Sequence, residues 1–174
     1  MRNSKWLGLL ILVPHLLMAN TEQTVTIYEA TADGQGDKFG TISIQESQYG
    51  VVFKPALSGL ESGIHGFHLH DNASCDPGQK DGQKAAALEA GGHFDPKKTN
   101  KHDTPWGEGH LGDLPPLYAT EAGEINQSVL VPRLTLKDLD QHALMIHQHG
   151  DNFADKPEPL GGGGARVACG VIGQ

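Results

Sequence analysis

The chain has 174 residues, enough for one globular domain and hardly for two. Counting glycine as apolar and tyrosine as polar, about 48% of residues are apolar, inside the ordinary range of about 45–50%, which disfavours disorder. The formal net charge of −8 argues against a general nucleic-acid or membrane-surface binder, since either needs a basic face. Glycine is nearly twice its usual share of about 7%, and with ten prolines and no Gly-X-Y period it points to many tight turns. Ten histidines against three methionines hint at metal chemistry.

The first element is an export signal. Arg2 and Lys5 precede an almost wholly apolar run from Trp6 to Met18, and Leu17-Met18-Ala19 suits cleavage after Ala19. The run is interrupted by Pro14 and His15 and is shorter than the roughly 20 apolar residues of a spanning helix. Residues 1–19 are therefore read as a secretory signal and 20–174 as a single domain. The mature part keeps eleven basic and 21 acidic residues, a net charge of −10. Export also bears on the two cysteines: an oxidising compartment favours a Cys75–Cys169 bridge, with free thiols or metal ligands as the alternative.

Strand character follows at Val25–Tyr28, Gly40–Ile44, Val51–Phe53, Gly66–His70, Ile125–Val131, Ala143–His147 and Val167–Ile172. These runs are short, rich in β-branched and aromatic residues, and bounded by turn formers. Leu134–Leu144 is the one possible short helix. Seven or eight such strands predict an all-β antiparallel sandwich or barrel. Two stretches are too long for turns: Asp71–Pro116 and Gly150–Ala165, the latter ending in Gly161-Gly162-Gly163-Gly164. Loops beyond about 12–15 residues are usually functional or disordered, and several histidines lie in these two or at their edges.

In Gly66-Phe67-His68-Leu69-His70, strand alternation puts His68 and His70 on one face and Phe67 and Leu69 in the core. Two imidazoles spaced i, i+2 on a rigid strand can ligate one metal. His93, His102, His110 and Asp113 form a three-histidine, one-carboxylate set that suits a closed tetrahedral zinc. The strand Ala143–Ile146 runs into His147-Gln148-His149, and periodicity alone allows either histidine as a ligand. His65 reads as packed and hydrogen-bonded, and His142 as a surface residue near a turn.

Taken together and in order, GFHLH, GGHFDP, HLGDL and the terminal GGGGARVACGVIG resemble copper-zinc superoxide dismutase, from about Val25 to the C-terminus. The signal, the short Cys75-Asp76-Pro77-Gly78 loop and the Gly150-Asp151-Asn152 segment resemble its bacterial periplasmic branch. The resemblance implies an eight-stranded antiparallel Greek-key barrel with two long functional loops, in an exported enzyme that converts superoxide to dioxygen and hydrogen peroxide. It implies one copper and one zinc per subunit. His68, His70, His93 and His147 would bind copper; His93, His102, His110 and Asp113 would bind zinc, with His93 bridging.

The same resemblance makes Asp151 a carboxylate hydrogen-bonded to ligand histidines of both metals. It makes Arg166 the arginine facing the copper, and Cys75–Cys169 the family disulfide. Its register selects His147 over His149, which is left beside the site or exposed to solvent. Lys156, or lysines 97, 98 and 101, would extend the positive field toward the substrate anion. Trp106, in a polar loop, is either a homodimer contact or a local plug over the zinc site; no nucleic-acid or membrane partner is expected after signal removal. Two competing readings are a secreted metal-binding module without turnover, which predicts a damaged copper half, and a zinc hydrolase, which needs an open zinc position.

Overall fold

The computed structural model describes residues 22–173, so the secretory signal expected at 1–19 lies outside the described residues. Eleven strands are present among them: β1 Gln23–Thr31, β2 Gly34–Ser47, β3 Gly50–Leu57, β4 Gly63–His65, β5 Phe67–His70, β6 Gly78–Lys80, β7 Gln83–Ala85, β8 Leu117–Ala119, β9 Val129–Val131, β10 Ala143–His147 and β11 Arg166–Val171. Seven form one antiparallel sheet in the order β5-β10-β11-β1-β2-β3-β9. β4 is separated from β5 only by Gly66 and pairs with β8, and the Leu57–Ile125 bridge ties the segment after β8 back to β3. With β4 and β5 counted as one run, eight strands curl round a common core. Chain neighbours β3 and β4, and β8 and β9, are not sheet neighbours, which is the Greek-key pattern.

Alternation decides what the barrel encloses. On β5, Phe67 and Leu69 point inward and join a core with Ile27, Ile42, Ile44, Phe53, Leu144 and Ile146; Phe53 and Phe67 meet edge-to-face at 5.5 Å. The opposite face of β10, with Ala143 and Met145, is covered by Ala87, Ala90 and the disulfide. Cys75 and Cys169 are bonded across 94 positions. Closing a loop of that size is worth about 4–5 kcal/mol in the chain-entropy account.

Several local expectations change. The run Ile125–Val131 is a strand only at Val129–Val131, because Asn126-Gln127-Ser128 offers no alternating pattern. Strand β8 lies just after Pro115-Pro116, outside every expected run. Leu134–Leu144 yields a 3-10 turn at Leu136–Leu139, closed by a Thr135–Asp138 capping box, before β10 begins. The first long loop is not wholly irregular, since it carries the β6–β7 hairpin and a 3-10 turn at Leu88–Ala90.

Candidate metal centre

The register of β5 and β10 builds the site. His68 faces Met145 and His70 faces Ala143, so residues 68, 70, 143, 145 and 147 share the outer face. His147 is the last residue of β10 and stands opposite Arg166 on β11. His149 lies past the strand end, exposed at the rim of the cleft, so strand geometry separates two histidines that periodicity could not.

The free edge of β5 recruits the first long loop. Phe94 N–H donates to Leu69 O at 2.8 Å, and Leu69 N–H donates to Gly112 O at 3.0 Å. These bonds pair His70 with His93 and His68 with Asp113 in isolated bridges. Gly112 has no alternative: a Cβ there would meet the Leu69 carbonyl oxygen and Phe94 N. Two residues from distant sequence are thereby set beside the two strand histidines.

Two overlapping groups result. Ligand atoms of His68, His70, His93 and His147 all lie within 4.8 Å of one another, as do those of His68, His93, His102 and Asp113. His110 adjoins the second group through Asp113. Three Nδ1 atoms approach the single oxygen Asp113 Oδ1: His93 at 3.0 Å, His102 at 2.9 Å and His110 at 3.2 Å. His68 belongs to the second group by proximity only, because its Nε2 is engaged with Asp151 Oδ2 at 2.8 Å.

Outer partners fix which nitrogen each ring leaves over. His70 Nδ1 faces Gly91 O at 3.0 Å and His147 Nδ1 faces Gly164 O at 3.2 Å. His102 Nε2 faces Asp151 Oδ1 at 2.8 Å, so this one carboxylate joins His68 to His102. Asp151 is itself held by Phe153 N–H at 2.7 Å. Gly161, at φ +75°, lies under that junction, where a Cβ would collide with Asp151 and His102.

The remaining atoms are His68 Nδ1, His70 Nε2, His102 Nδ1 and His147 Nε2, all buried and without a hydrogen-bond partner among the described residues. His102 Nδ1 approaches Asp113 closely but outside hydrogen-bond geometry. Buried polar atoms are rarely left so. Four such imidazole nitrogens in one cluster, beside a carboxylate, fit nitrogen-preferring divalent metals.

Burial dominates the charge states. It pushes His68 and His70 well below the ordinary value, and His93 below it, while His147 falls to about 4, with repulsion from His93 adding to burial. For His102 burial also opposes the charge, but Asp113 and Asp151 outweigh it and raise the ring to about 9. Burial works against the Asp113 and Asp151 anions, yet histidine hydrogen bonds hold both well below the usual carboxylate range.

The first group opens on a cleft of about 730 Å³, lined by His70, His93, His147 and Arg166. The guanidinium of Arg166 donates to Ala87 O and Gly91 O, each at 2.6 Å. Of the expected lysines, Lys101 pairs with Asp103 at 2.7 Å and Lys97 lines a separate pocket. The cleft is lined instead by Lys80 of β6, along with Glu158.

His65 is buried, its ring nitrogens 2.7 Å from His147 O and 2.8 Å from Glu61 O. His142 is not a plain surface residue: its Nδ1 meets Asp71 O at 2.8 Å and its ring packs on Phe94. Trp106 is 67% exposed, so it is not a plug folded over the second group.

The family model described as copper/zinc superoxide dismutase (SODC) matches residues 38–172. Superoxide dismutase [Cu-Zn] 1 of Salmonella typhimurium (strain 4/74) is 54% identical over 157 residues, covering 89% of each chain. The structure of Cu/Zn superoxide dismutase from Brucella abortus superposes with a TM-score of 0.86 at 51% identity, covering 87% of this chain and 99% of that one. The solution structure of the monomeric copper, zinc superoxide dismutase from Salmonella enterica gives 0.79 at 50% identity, with the same coverage. A barrel whose β5 edge gathers two histidine groups overlapping at His68 and His93, matched over nearly its whole described length, places the chain in the copper/zinc superoxide dismutase family.

Proposed function

We propose that this chain is an exported superoxide dismutase of the periplasm. It would hold copper through His68, His70, His93 and His147, and zinc through His93, His102, His110 and Asp113. The observation that carries the reading is the set of buried imidazole nitrogens without hydrogen-bond partners, each left over because the other ring nitrogen is committed. When bound, copper supplies the one-electron couple for superoxide, and zinc, being d¹⁰, contributes structure and charge without redox change.

The residues divide the remaining work. Arg166 is held by two carbonyls beside the cleft, where its permanent charge orients the small anion. His93 turns Nδ1 toward Asp113, so its Nε2 is the atom able to hold a proton for the departing peroxide. The balance is two superoxide anions and two protons giving dioxygen and hydrogen peroxide. The acidic chain does not oppose this, because the local field in the cleft, not the net charge, acts on the anion.

Metal analysis with superoxide turnover, before and after copper removal, tests the reading. One copper and one zinc per chain, with activity lost and restored alongside copper, is the expected result. A copper-loaded protein without turnover would make the chain a metal-carrying module. A second copy of the chain is proposed to pair through the exposed Trp106.

A further inference from the structure

Residues 91–116, all described, contain no helix or strand, yet all four proposed zinc ligands, His93, His102, His110 and Asp113, lie there. Something outside the loop must hold its shape. Arg133 is placed for this. It follows β9 between buried Val131 and Leu134, so its backbone is fixed to the barrel. Its guanidinium reaches back across 23 to 28 positions and spends all three nitrogens on the loop: Nε on Pro105 O at 2.8 Å, Nη1 on Gly109 O at 3.1 Å and Nη2 on His110 O at 2.5 Å. The His110 carbonyl also accepts the Asp113 N–H at 3.4 Å, and His110 N–H donates to Lys101 O at 3.0 Å, next to His102. One side chain therefore sets the turn that brings His110 and Asp113 to the same point.

We propose that Arg133 is a positioning residue that preorganises the zinc site, holding the His110–Asp113 turn in place before any metal arrives. The inference rests on the zinc reading of His93, His102, His110 and Asp113. A planar fork with fixed donors can span three carbonyls, whereas a lysine ammonium offers its donors from one point. Removing such an outer partner typically costs about 10–100-fold in metal affinity.

The test uses Arg133→Met and Arg133→Lys in the full mature protein, measuring zinc release into a chelator and the visible spectrum after cobalt(II) replaces zinc. Both variants should release zinc about tenfold faster or more, with an altered cobalt(II) spectrum, copper uptake unchanged and lysine only partly restoring the rate. Should Arg133→Met not fold, Arg133→Lys carries the comparison. Zinc release at the wild-type rate in the folded variants overturns the proposal. So does equal weakening of zinc, copper and the melting of metal-free protein, which marks a general brace. A wild type that takes up no cobalt(II) overturns the zinc reading itself, before Arg133 is at issue.

Discussion

Arg166 and His70 share one acceptor: the Gly91 carbonyl oxygen lies 2.6 Å from Arg166 Nη2 and 3.0 Å from His70 Nδ1. The backbone that orients a proposed copper ligand thus also orients the charge proposed to receive the anion. The His70 bond to Gly91 does not run through the arginine, so the two functions should separate by mutation. Arg166→Ala is expected to lower superoxide turnover about tenfold or more with copper and zinc content retained. Loss of copper in the variant would show that the arginine is part of the metal scaffold.

His147→Ala should empty the copper site, while His149→Ala should leave copper content close to wild type. His147 ends β10 on the same face as His68 and His70 and is buried, whereas His149 is exposed beyond the strand. Copper content measured on both purified variants decides the matter, and the reverse order would show the strand register to be wrong.

The parts of the site legible in the sequence are those governed by local rules. Alternation alone puts His68 and His70 on one face; ligand chemistry suggests His93, His102, His110 and Asp113 as a set, of which the structure gathers His93, His102 and Asp113 in one group with His110 joined through Asp113. Parity could not choose between His147 and His149; the end of β10 does. Strand β8 was invisible because Leu117-Tyr118-Ala119 is too short to alternate detectably, and its pairing with β4 is a tertiary fact. Asp155 had no signal either, although it accepts the His102 N–H at 3.0 Å from 53 positions away. Lys80 could not be found from charge, since its place at the cleft depends on how the β6–β7 hairpin folds back.

Lys80→Gln is expected to slow the reaction at low ionic strength severalfold, with the difference shrinking as salt is added. Lys80 lines the cleft, and steering between exposed charges falls off beyond a screening length of about 10 Å at 0.1 M salt. Lys101→Gln, whose ammonium is already paired with Asp103, should change the rate far less. Equal effects of the two substitutions would show that only net charge matters.

Trp106→Ala should convert a dimeric wild type to monomers at matched concentration. Trp106 is 67% exposed beside Phe153, with ring centroids 6.5 Å apart, while Ile64 and Tyr118 are exposed as direct cross-strand partners on β4 and β8. Exposed aromatics of this size are favoured as interface anchors. Sedimentation of both proteins gives the answer: a monomeric wild type ends the proposal, and a dimer that survives the substitution moves the contact elsewhere.

The metal-free protein should be most stable near pH 6.5 and weaken on both sides. His102, raised to about 9, binds its proton more tightly folded than unfolded; its contribution is complete below 6.5 and is lost as pH rises through about 9. His147, lowered to about 4, refuses a proton that the unfolded chain accepts. Its contribution is complete above 6.5 and is lost as pH falls toward about 4. His68, His70 and His93 shift in the same sense as His147. Asp113 and Asp151, held well below the usual range, add a further loss at more acid pH, where the unfolded carboxylates take up protons. Metal held by His102 would replace the proton there, so zinc should flatten the alkaline limb and steepen the acid one, where the unfolded ring takes up a proton that the metal-loaded ring does not. Melting temperatures of metal-free and zinc-loaded protein between pH 4 and pH 10 check this, and a metal-free curve still rising at pH 9 would show that His102 is not held as a cation between its two carboxylates.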